Sequence, residues 1–221
     1  MSANPPAETQ QLTATERAER QRAVVQALGR VLPADAILYT PEDTTPYECD
    51  GLTAYRERPL VVALPETEAQ VQAVLKVCHT LAVPVVARGA GTGLSGGAMP
   101  HRMGVTLSMA RFNQIKNVDP VSRTAVVQCG VRNLAISEAA APYGLYYAPD
   151  PSSQIACTIG GNVAENSGGV HCLKYGLTLH NVLKVKGFTI EEMPSRLAAT
   201  RSTPRAMTCW PYWWAAKACW P

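Results

Sequence analysis

The sequence has 221 residues, of which 47% are apolar and 17% charged, and its formal net charge is +3. This balance is typical of a globular protein, and the length allows one large domain or two small ones. The charge is too small to indicate a nucleic-acid partner, and the longest aliphatic run, residues 60–64, is far too short to cross a bilayer. The polar start lacks the apolar segment of a secretory signal.

The seven cysteines are scattered along the chain and form no C-x-x-C pair. An odd number without regular spacing fits reduced thiols better than a disulfide framework or a zinc site. The sequence therefore predicts a cytoplasmic protein with no metal centre. The cysteine positions are 49, 78, 129, 157, 172, 209 and 219.

The chain opens with a polar stretch, residues 1–12, that we expect to be a flexible lead-in. Thr13 and Glu16 have the spacing of a capping box, which satisfies backbone N–H groups where a helix begins. Apolar residues then recur at helical spacing and predict a helix that ends near Pro33. Residues 34–58 mix prolines and a glycine with polar residues and indicate a connecting segment.

A strand–helix–strand unit follows. The aliphatic run at 60–64 predicts a buried strand, and Thr67 with Gln70 three residues later predicts a capped helix. The apolar face of this helix continues to Leu81. A second apolar run, residues 83–87, completes the unit, and its two strands should be parallel.

The second strand runs into residues 88–97, which contain five glycines in ten positions. Glycine lets other groups approach the backbone closely, and such a loop presents successive N–H groups to phosphate oxygens. We therefore expect a phosphate-bearing cofactor. The loop lacks the lysine of a Walker A sequence. Residues 91–96 spell the Rossmann pattern G-x-G-x-x-G, but Pro100 and Gly104 prevent the helix that this pattern must open.

Three alternating segments, residues 104–109, 115–119 and 124–128, predict further strands, and residues 131–141 predict a helix. A second glycine-rich piece then spans residues 158–169. Glycine pairs are common in turns, so this piece is either two unrelated tight turns or a second surface against the same diphosphate. The spacing alone leaves both interpretations open.

Taken together, these segments resemble the FAD-binding domain of the vanillyl-alcohol oxidase (PCMH-type) flavoproteins, and the resemblance covers about residues 35–186. Within that family, three further segments are similar to the FAD subunits of bacterial glycolate oxidases, with D-lactate dehydrogenases as the near alternative. The three segments are residues 47–51, 132–137 and 171–176; the family-wide motifs are residues 59–62, 83–97, 128–130, 149–153, 158–162 and 166–169.

The resemblance implies an α+β fold, PCMH-type, of two α/β subdomains with FAD between them. It assigns the diphosphate to backbone N–H groups of the first glycine loop, and the other side of the cofactor to the second glycine-rich piece. The first set is Arg88, Gly89, Ala90, Gly91, Thr92, Gly93, Leu94, Ser95 and Gly96. The second set is Asp150, Pro151, Ser152, Thr158, Gly160, Gly161, Asn162, Asn166, Gly168 and Gly169. Many fixed N–H dipoles suit a diphosphate with two negative charges.

Some members of the family bind flavin covalently through a histidine in the first loop. Thr92 stands at the corresponding position here, which favours non-covalent FAD. Three of the four histidines are interpreted as exposed or solvated residues, and His171, beside a glycine pair, as a structural residue. Arg88 pairs with either a phosphate or a carboxylate. No catalytic residue is assigned.

The resemblance also implies the oxidation of a small 2-hydroxy acid, glycolate or D-lactate, to the 2-oxo acid. Electrons would leave through other oxidase subunits or a quinone-linked acceptor, which places the protein in the cytoplasm or at a membrane through those subunits. In the family a C-terminal lobe binds the substrate, and this sequence ends before it. We therefore expect the chain alone to be inactive, and the alternative is a non-catalytic flavin-binding fragment.

One further member of the family, the reductase of peptidoglycan precursor synthesis, shares the flavin lobe but catalyses different chemistry. The segments at 47–51 and 171–176 speak against it, since they are of the glycolate oxidase type.

From residue 191 on the sequence loses all periodicity, and its four tryptophans (210, 213, 214 and 220) fall within the last dozen residues. If the codons for residues 208–214 are read one base out of frame, they permit an aliphatic segment similar to one that the family's sequences carry at this point. We therefore expect a frameshifted tail, with a Trp-rich anchor as the alternative. The predicted organisation is a lead-in and helix at 1–34, an FAD-binding domain at 35–190 that is incomplete at its C-terminus, and an aberrant tail at 191–221.

Overall fold

The computed structural model describes residues 14–190, 194–198 and 212–219. The expected lead-in, Thr13 of the predicted capping box and the rest of the tail lie outside the described residues. The helices are Ala14–Leu28 (α1), Pro41–Thr44 (α2), Glu68–Thr80 (α3), Asn133–Ala140 (α4), Ile159–Glu165 (α5) and Cys172–Tyr175 (α6). The strands are Ile37–Leu38 (β1), Val61–Ala63 (β2), Val85–Arg88 (β3), Val105–Ser108 (β4), Ile115–Asp119 (β5), Thr124–Gln128 (β6), Val182–Phe188 (β7), Pro194–Ala198 (β8) and Tyr212–Cys219 (β9).

The first subdomain is built on a four-stranded sheet with the order β1-β2-β4-β3. Strands β2 and β3 both run parallel to β4, so the predicted parallel arrangement is confirmed, although β4 lies between the two strands. The capping box of α3 is also confirmed: the Gln70 backbone N–H donates to Thr67 Oγ1 over 3.2 Å, and the Thr67 N–H donates to Gln70 Oε1 over 3.2 Å. Apolar side chains of α1 and α3 complete this core.

Two expectations for the N-terminal part were wrong. Helix α1 ends at Leu28 rather than near Pro33, because Gly29, a poor helix former, follows directly and the chain turns there. The segment at 34–58 is more than a connection, since it contains β1, which pairs antiparallel with β2. A strand of two residues is too short to give a periodic signal in the sequence.

The second subdomain contains an antiparallel sheet with the order β5-β6-β9-β7-β8. Helices α4 and α5 pack against it, and their Ile136 and Ile159 lie in one core with Val127 and Val185. Strands β8 and β9 come from the tail, and β9 pairs with both β6 and β7. The predicted α+β fold of two subdomains is confirmed. None of the described helices has the length and apolarity needed to cross a membrane.

Candidate functional site

The first glycine loop leaves the sheet at the end of β3 and contains no helix in the described residues between 89 and 104. The rejection of the Rossmann pattern is therefore confirmed. Arg88, at the start of the loop, is buried; its Nη1 donates to the carbonyl of Cys49 over 2.8 Å, and its guanidinium carbon lies 5.5 Å from the ring centre of Tyr47. Burial lowers the pKa of Arg88, which still stays charged at neutral pH. Arg88 thus anchors the loop to the segment at 47–51.

The second glycine-rich piece is helix α5, preceded by Thr158, rather than a pair of turns. The sequence did not predict this helix because two adjacent glycines, both poor helix formers, are unfavourable in a helix of only seven residues. Its first turn is attached to the end of β6: the Gly160 N–H donates to the carbonyl of Cys129 over 2.8 Å, and the Ile159 N–H donates to Val131 over 2.9 Å. Tertiary contacts therefore override the local propensity.

A buried chain of amide side chains fixes the segment at 149–153 beside α5. Asn162 Nδ2 donates to Asn133 Oδ1 over 2.8 Å, and Asn133 Nδ2 donates to the carbonyl of Pro149 over 2.9 Å. Both asparagine side chains are almost completely buried. The amide group of Asn162, which the resemblance assigns to the cofactor, thus donates one hydrogen bond within the protein.

The two glycine-rich pieces face each other across one cleft of about 420 Å³. At one end, a Cβ added to Gly89 would overlap the hydroxyl of Thr158. Further along, a Cβ added to Gly93 would lie 3.0 Å from Glu165 Oε1. We call the loop at 89–98 the first wall and the segments at 151–153 and 157–168 the second wall. Of the two interpretations left open by the sequence, the structure favours a shared surface.

Thirteen predicted site residues line the cleft. They are Gly89, Ala90, Gly91, Thr92, Gly93, Leu94, Ser95, Pro151, Ser152, Thr158, Gly161, Asn162 and Gly168. Six predicted residues lie outside the lining: Arg88, Gly96, Asp150, Gly160, Asn166 and Gly169. Eight lining residues were not predicted: Ala87, Gly97, Ala98, Ser153, Cys157, Ala164, Glu165 and Ser167. Most of these eight are sequence neighbours of predicted residues, so a prediction that took every residue of both segments would have included them.

Asp150 and Asn166 make hydrogen bonds that connect the second wall to neighbouring segments. Asp150 Oδ2 lies 2.6 Å from His171 Nδ1, and Asp150 Oδ1 accepts from the His171 backbone N–H over 3.1 Å. Asn166 Oδ1 accepts from the Leu179 N–H over 2.9 Å. These bonds attach the segment after α5 to its neighbours, which agrees with a structural role for His171.

The cleft is lined by both polar and apolar groups, and it contains little charge. Among its lining residues, all of which the structure describes, Glu165 is the one charged side chain. At the other end of α5, Thr158 is 6% exposed, and its Oγ1 is buried without a hydrogen-bond partner in the described protein. A buried hydroxyl without a partner is unfavourable, and the backbone of Gly89 lies directly against this atom.

The class of the protein follows from its sequence and fold together. Residues 59–191 match the family described as FAD binding domain, and the chain belongs to that family. Over 169 residues the chain is 65% identical to glycolate oxidase subunit GlcD of Escherichia coli (strain K12), covering 76% of this chain and 34% of that protein. It is 40% identical over 126 residues to a D-lactate dehydrogenase of Archaeoglobus fulgidus, covering 57% of this chain and 28% of that protein. The chain therefore spans about a third of the curated relatives that it matches.

Among solved structures, p-cresol methylhydroxylase with substrate bound superimposes with a TM-score of 0.74 and 18% sequence identity. The match covers 91% of this chain and 43% of that chain. At this identity the likeness shows the fold alone, and the predicted PCMH-type fold is confirmed.

The cofactor of the family, FAD, fits the cleft by its chemistry. The close approach of Gly89 to Thr158 leaves no room for a side chain at position 89, so the first wall presents backbone to the cleft, and backbone N–H groups suit a diphosphate. The volume of about 420 Å³ is in the range of about 300–1,000 Å³ that small-molecule sites occupy.

Proposed function

We propose that this chain binds FAD between its two glycine-rich walls and forms part of a flavoprotein that oxidises a small 2-hydroxy acid to the 2-oxo acid. The observation that carries the proposal is the pairing of the two walls across one cleft, where Gly89 lies against Thr158. Two unrelated turns would have no reason to share a surface. The match of residues 59–191 to an FAD-binding family supports the identity of the cofactor.

In this proposal backbone N–H groups at the Gly89 end of the first wall hold the diphosphate, opposite Thr158 on the second wall. Asn133 and Asn162 keep the second wall in place, so its shape exists before the ligand enters. Preorganised donors lose little entropy on binding. A bound flavin would supply the hydride acceptor for the oxidation, and the residues of the two walls would hold and orient it.

The attachment of the flavin is proposed to be non-covalent. Thr92 occupies the position where some relatives carry a histidine, and it lines the cleft. A hydroxyl is not a nucleophile of comparable strength at neutral pH. Acid precipitation should therefore release all of the flavin into the supernatant.

The substrate is proposed to be glycolate, with D-lactate as the alternative. This rests on two relatives, one named as a glycolate oxidase subunit and one as a D-lactate dehydrogenase, of which the first is 65% identical and the second 40%. The first relative is a subunit of its enzyme, which supports the proposal that this chain has partner polypeptides. These partners would pass the electrons to a quinone-linked acceptor. A cytoplasmic location agrees with the five free thiols at Cys49, Cys78, Cys129, Cys157 and Cys172 among the described residues.

We further propose that the 221-residue chain alone binds flavin without turnover. The part of this chain that matches the Escherichia coli relative spans 34% of that protein. The experiment is to purify the chain, add FAD, and record the visible spectrum and the reduction of a dye by glycolate or D-lactate. We expect bound flavin and no turnover. Measurable turnover would refute the proposed inactivity, and a chain that takes up no flavin would refute the cofactor assignment.

A further inference from the structure

The two walls run side by side rather than touching at one point. Gly89 faces Thr158, immediately before α5, and Gly93 faces Glu165, the last residue of that helix. At a rise of about 1.5 Å per residue, Thr158 and Glu165 lie about 10 Å apart along the helix axis. The cleft is therefore an elongated groove with two distinguishable ends.

The two ends of the groove have opposite hydrogen-bonding character. At the Thr158 end, the lining residues carry no charge, and the loop at Gly89 brings its backbone N–H groups to the cleft. At the Glu165 end, the Oε1 of an exposed carboxylate lies 3.0 Å from the position that a Cβ on Gly93 would occupy. A carboxylate at neutral pH only accepts hydrogen bonds.

A dinucleotide also has distinct parts. Its diphosphate offers only acceptors and carries negative charge, whereas its sugar hydroxyls can donate. A diphosphate beside Glu165 would be repelled, since no lysine or arginine lines the cleft in the part of the chain that the structure describes. The diphosphate therefore belongs at the Thr158 end, and a donor belongs beside Glu165.

We infer that the carboxylate of Glu165 accepts a hydrogen bond from a sugar hydroxyl of the bound nucleotide and fixes which way round the nucleotide lies. The inference rests on the proposed FAD site and adds the residue that orients the ligand. The hydroxyl belongs to either the ribityl chain or the ribose of the adenosine, which present the same chemistry. Glu165 is a binding residue in this role and takes no part in proton or hydride transfer.

The test measures the dissociation constant of FAD by flavin fluorescence for the 221-residue chain and for Glu165→Ala and Glu165→Gln. Glu138→Gln is the matched control, because Glu138 is an exposed glutamate on α4 outside the cleft lining. A hydrogen bond to a charged group corresponds to about a tenfold to hundredfold change in affinity, so Glu165→Ala should weaken binding by this factor. Glu165→Gln keeps an acceptor oxygen and should lose less, and the control should bind as the parent does.

Riboflavin and ADP then identify the hydroxyl. A loss of affinity in Glu165→Ala for riboflavin alone points to the ribityl chain, and a loss for ADP alone points to the ribose. Unchanged FAD binding by both Glu165 variants would overturn the inference, and tighter binding would overturn it by placing the carboxylate beside the diphosphate. In both cases the parent chain still binds FAD and the proposed function stands. A parent chain that binds no FAD would overturn the proposed function and this inference together.

Discussion

The contact between Gly89 and Thr158 makes a prediction that needs no ligand. An alanine at position 89 would place its Cβ on the hydroxyl of Thr158, whereas the Cβ of Thr158 lies 3.6 Å and the Gly161 nitrogen 3.8 Å from that point. The backbone of Gly89 is outside the left-handed region and therefore accepts alanine. The loss of unfolding free energy in Gly89→Ala should therefore come from the clash with one atom, the hydroxyl oxygen of Thr158.

The size of this cost follows from packing. Thr158 is 6% exposed, and a β-branched side chain has few alternative rotamers, so the hydroxyl cannot simply swing away. Overpacking of this kind costs about 1–3 kcal/mol, which corresponds to about 2–4 °C in Tm per kcal/mol in a chain of this size. In a Thr158→Ala background the nearest atom is the Cβ at 3.6 Å, an ordinary contact, and Gly89→Ala should cost almost nothing.

The assay is urea unfolding of four proteins: the parent chain, each single variant and the double variant. Thr158→Ala alone should cost about 1 kcal/mol without ligand, because it removes the buried methyl group together with a hydroxyl that has no partner. Because Gly89→Ala should add almost nothing in that background, the two substitutions should show a coupling energy of about 1–3 kcal/mol. Equal costs of Gly89→Ala in the two backgrounds would refute the reasoning, because the two walls would not then be in contact.

Three further predictions concern other parts of the fold. A Cβ on Gly160 would lie 2.7 Å from the Cβ of Cys129, whereas a Cβ on Gly161 would have its nearest neighbour at 3.5 Å. Gly160→Ala should therefore lower the unfolding free energy by about 1–3 kcal/mol, and Gly161→Ala should leave it unchanged or raise it by up to about 1 kcal/mol. Equal effects of the two variants in urea unfolding would contradict this. Thr67→Ala removes the capping box of α3 and should lower the unfolding free energy by about 1 kcal/mol in the same assay, while an unchanged value would show that the cap is dispensable. Burial raises the pKa of Cys78 from 9.0 to about 12, so above pH 9 the thiol keeps its proton in the folded chain and loses it in the unfolded chain. The unfolding free energy should therefore fall as the pH rises above 9, by up to about 1.4 kcal/mol per pH unit. In melts at about pH 8 to 10.5, Cys78→Ala should lack this part of the pH dependence.

The first subdomain was predictable because its signals are local. The Thr67 cap, the apolar face of α3 as far as Cys78 and the aliphatic runs that became β2 and β3 each depend on a few consecutive residues, and each is found within two residues of its predicted place. Leu81 was wrongly expected on that face, because α3 ends at Thr80 and the Leu81 side chain is exposed. The end of α1 was misplaced because Pro33 is the more familiar stop signal, yet Gly29 ends the helix first. Strand β1 is stabilised by its pairing with β2, which the sequence of residues 37–38 does not reveal.

The site was predictable in its parts but not in its geometry. The glycines indicated two phosphate-binding surfaces, but helix α5 depends on the bonds of its first turn to Cys129 and Val131, which are distant in sequence. Glu165 went unnoticed because a lone carboxylate at a helix end is usually a solvated residue, and only the approach of Gly93 gives it a role. The expectation of a frameshifted tail stays a prediction, and sequencing the gene tests it.

The central claim is that both walls hold one FAD molecule, and a calorimetric titration of FAD into the 221-residue chain tests it most directly. We predict saturable binding of one FAD per chain, with weaker binding of riboflavin and of ADP, because each engages only part of the groove. At a hundredfold excess over Kd, FAD should add about 2.7 kcal/mol to the unfolding free energy and raise the Tm by several degrees. A titration without saturable heat, in a chain that melts cooperatively, would contradict the claim.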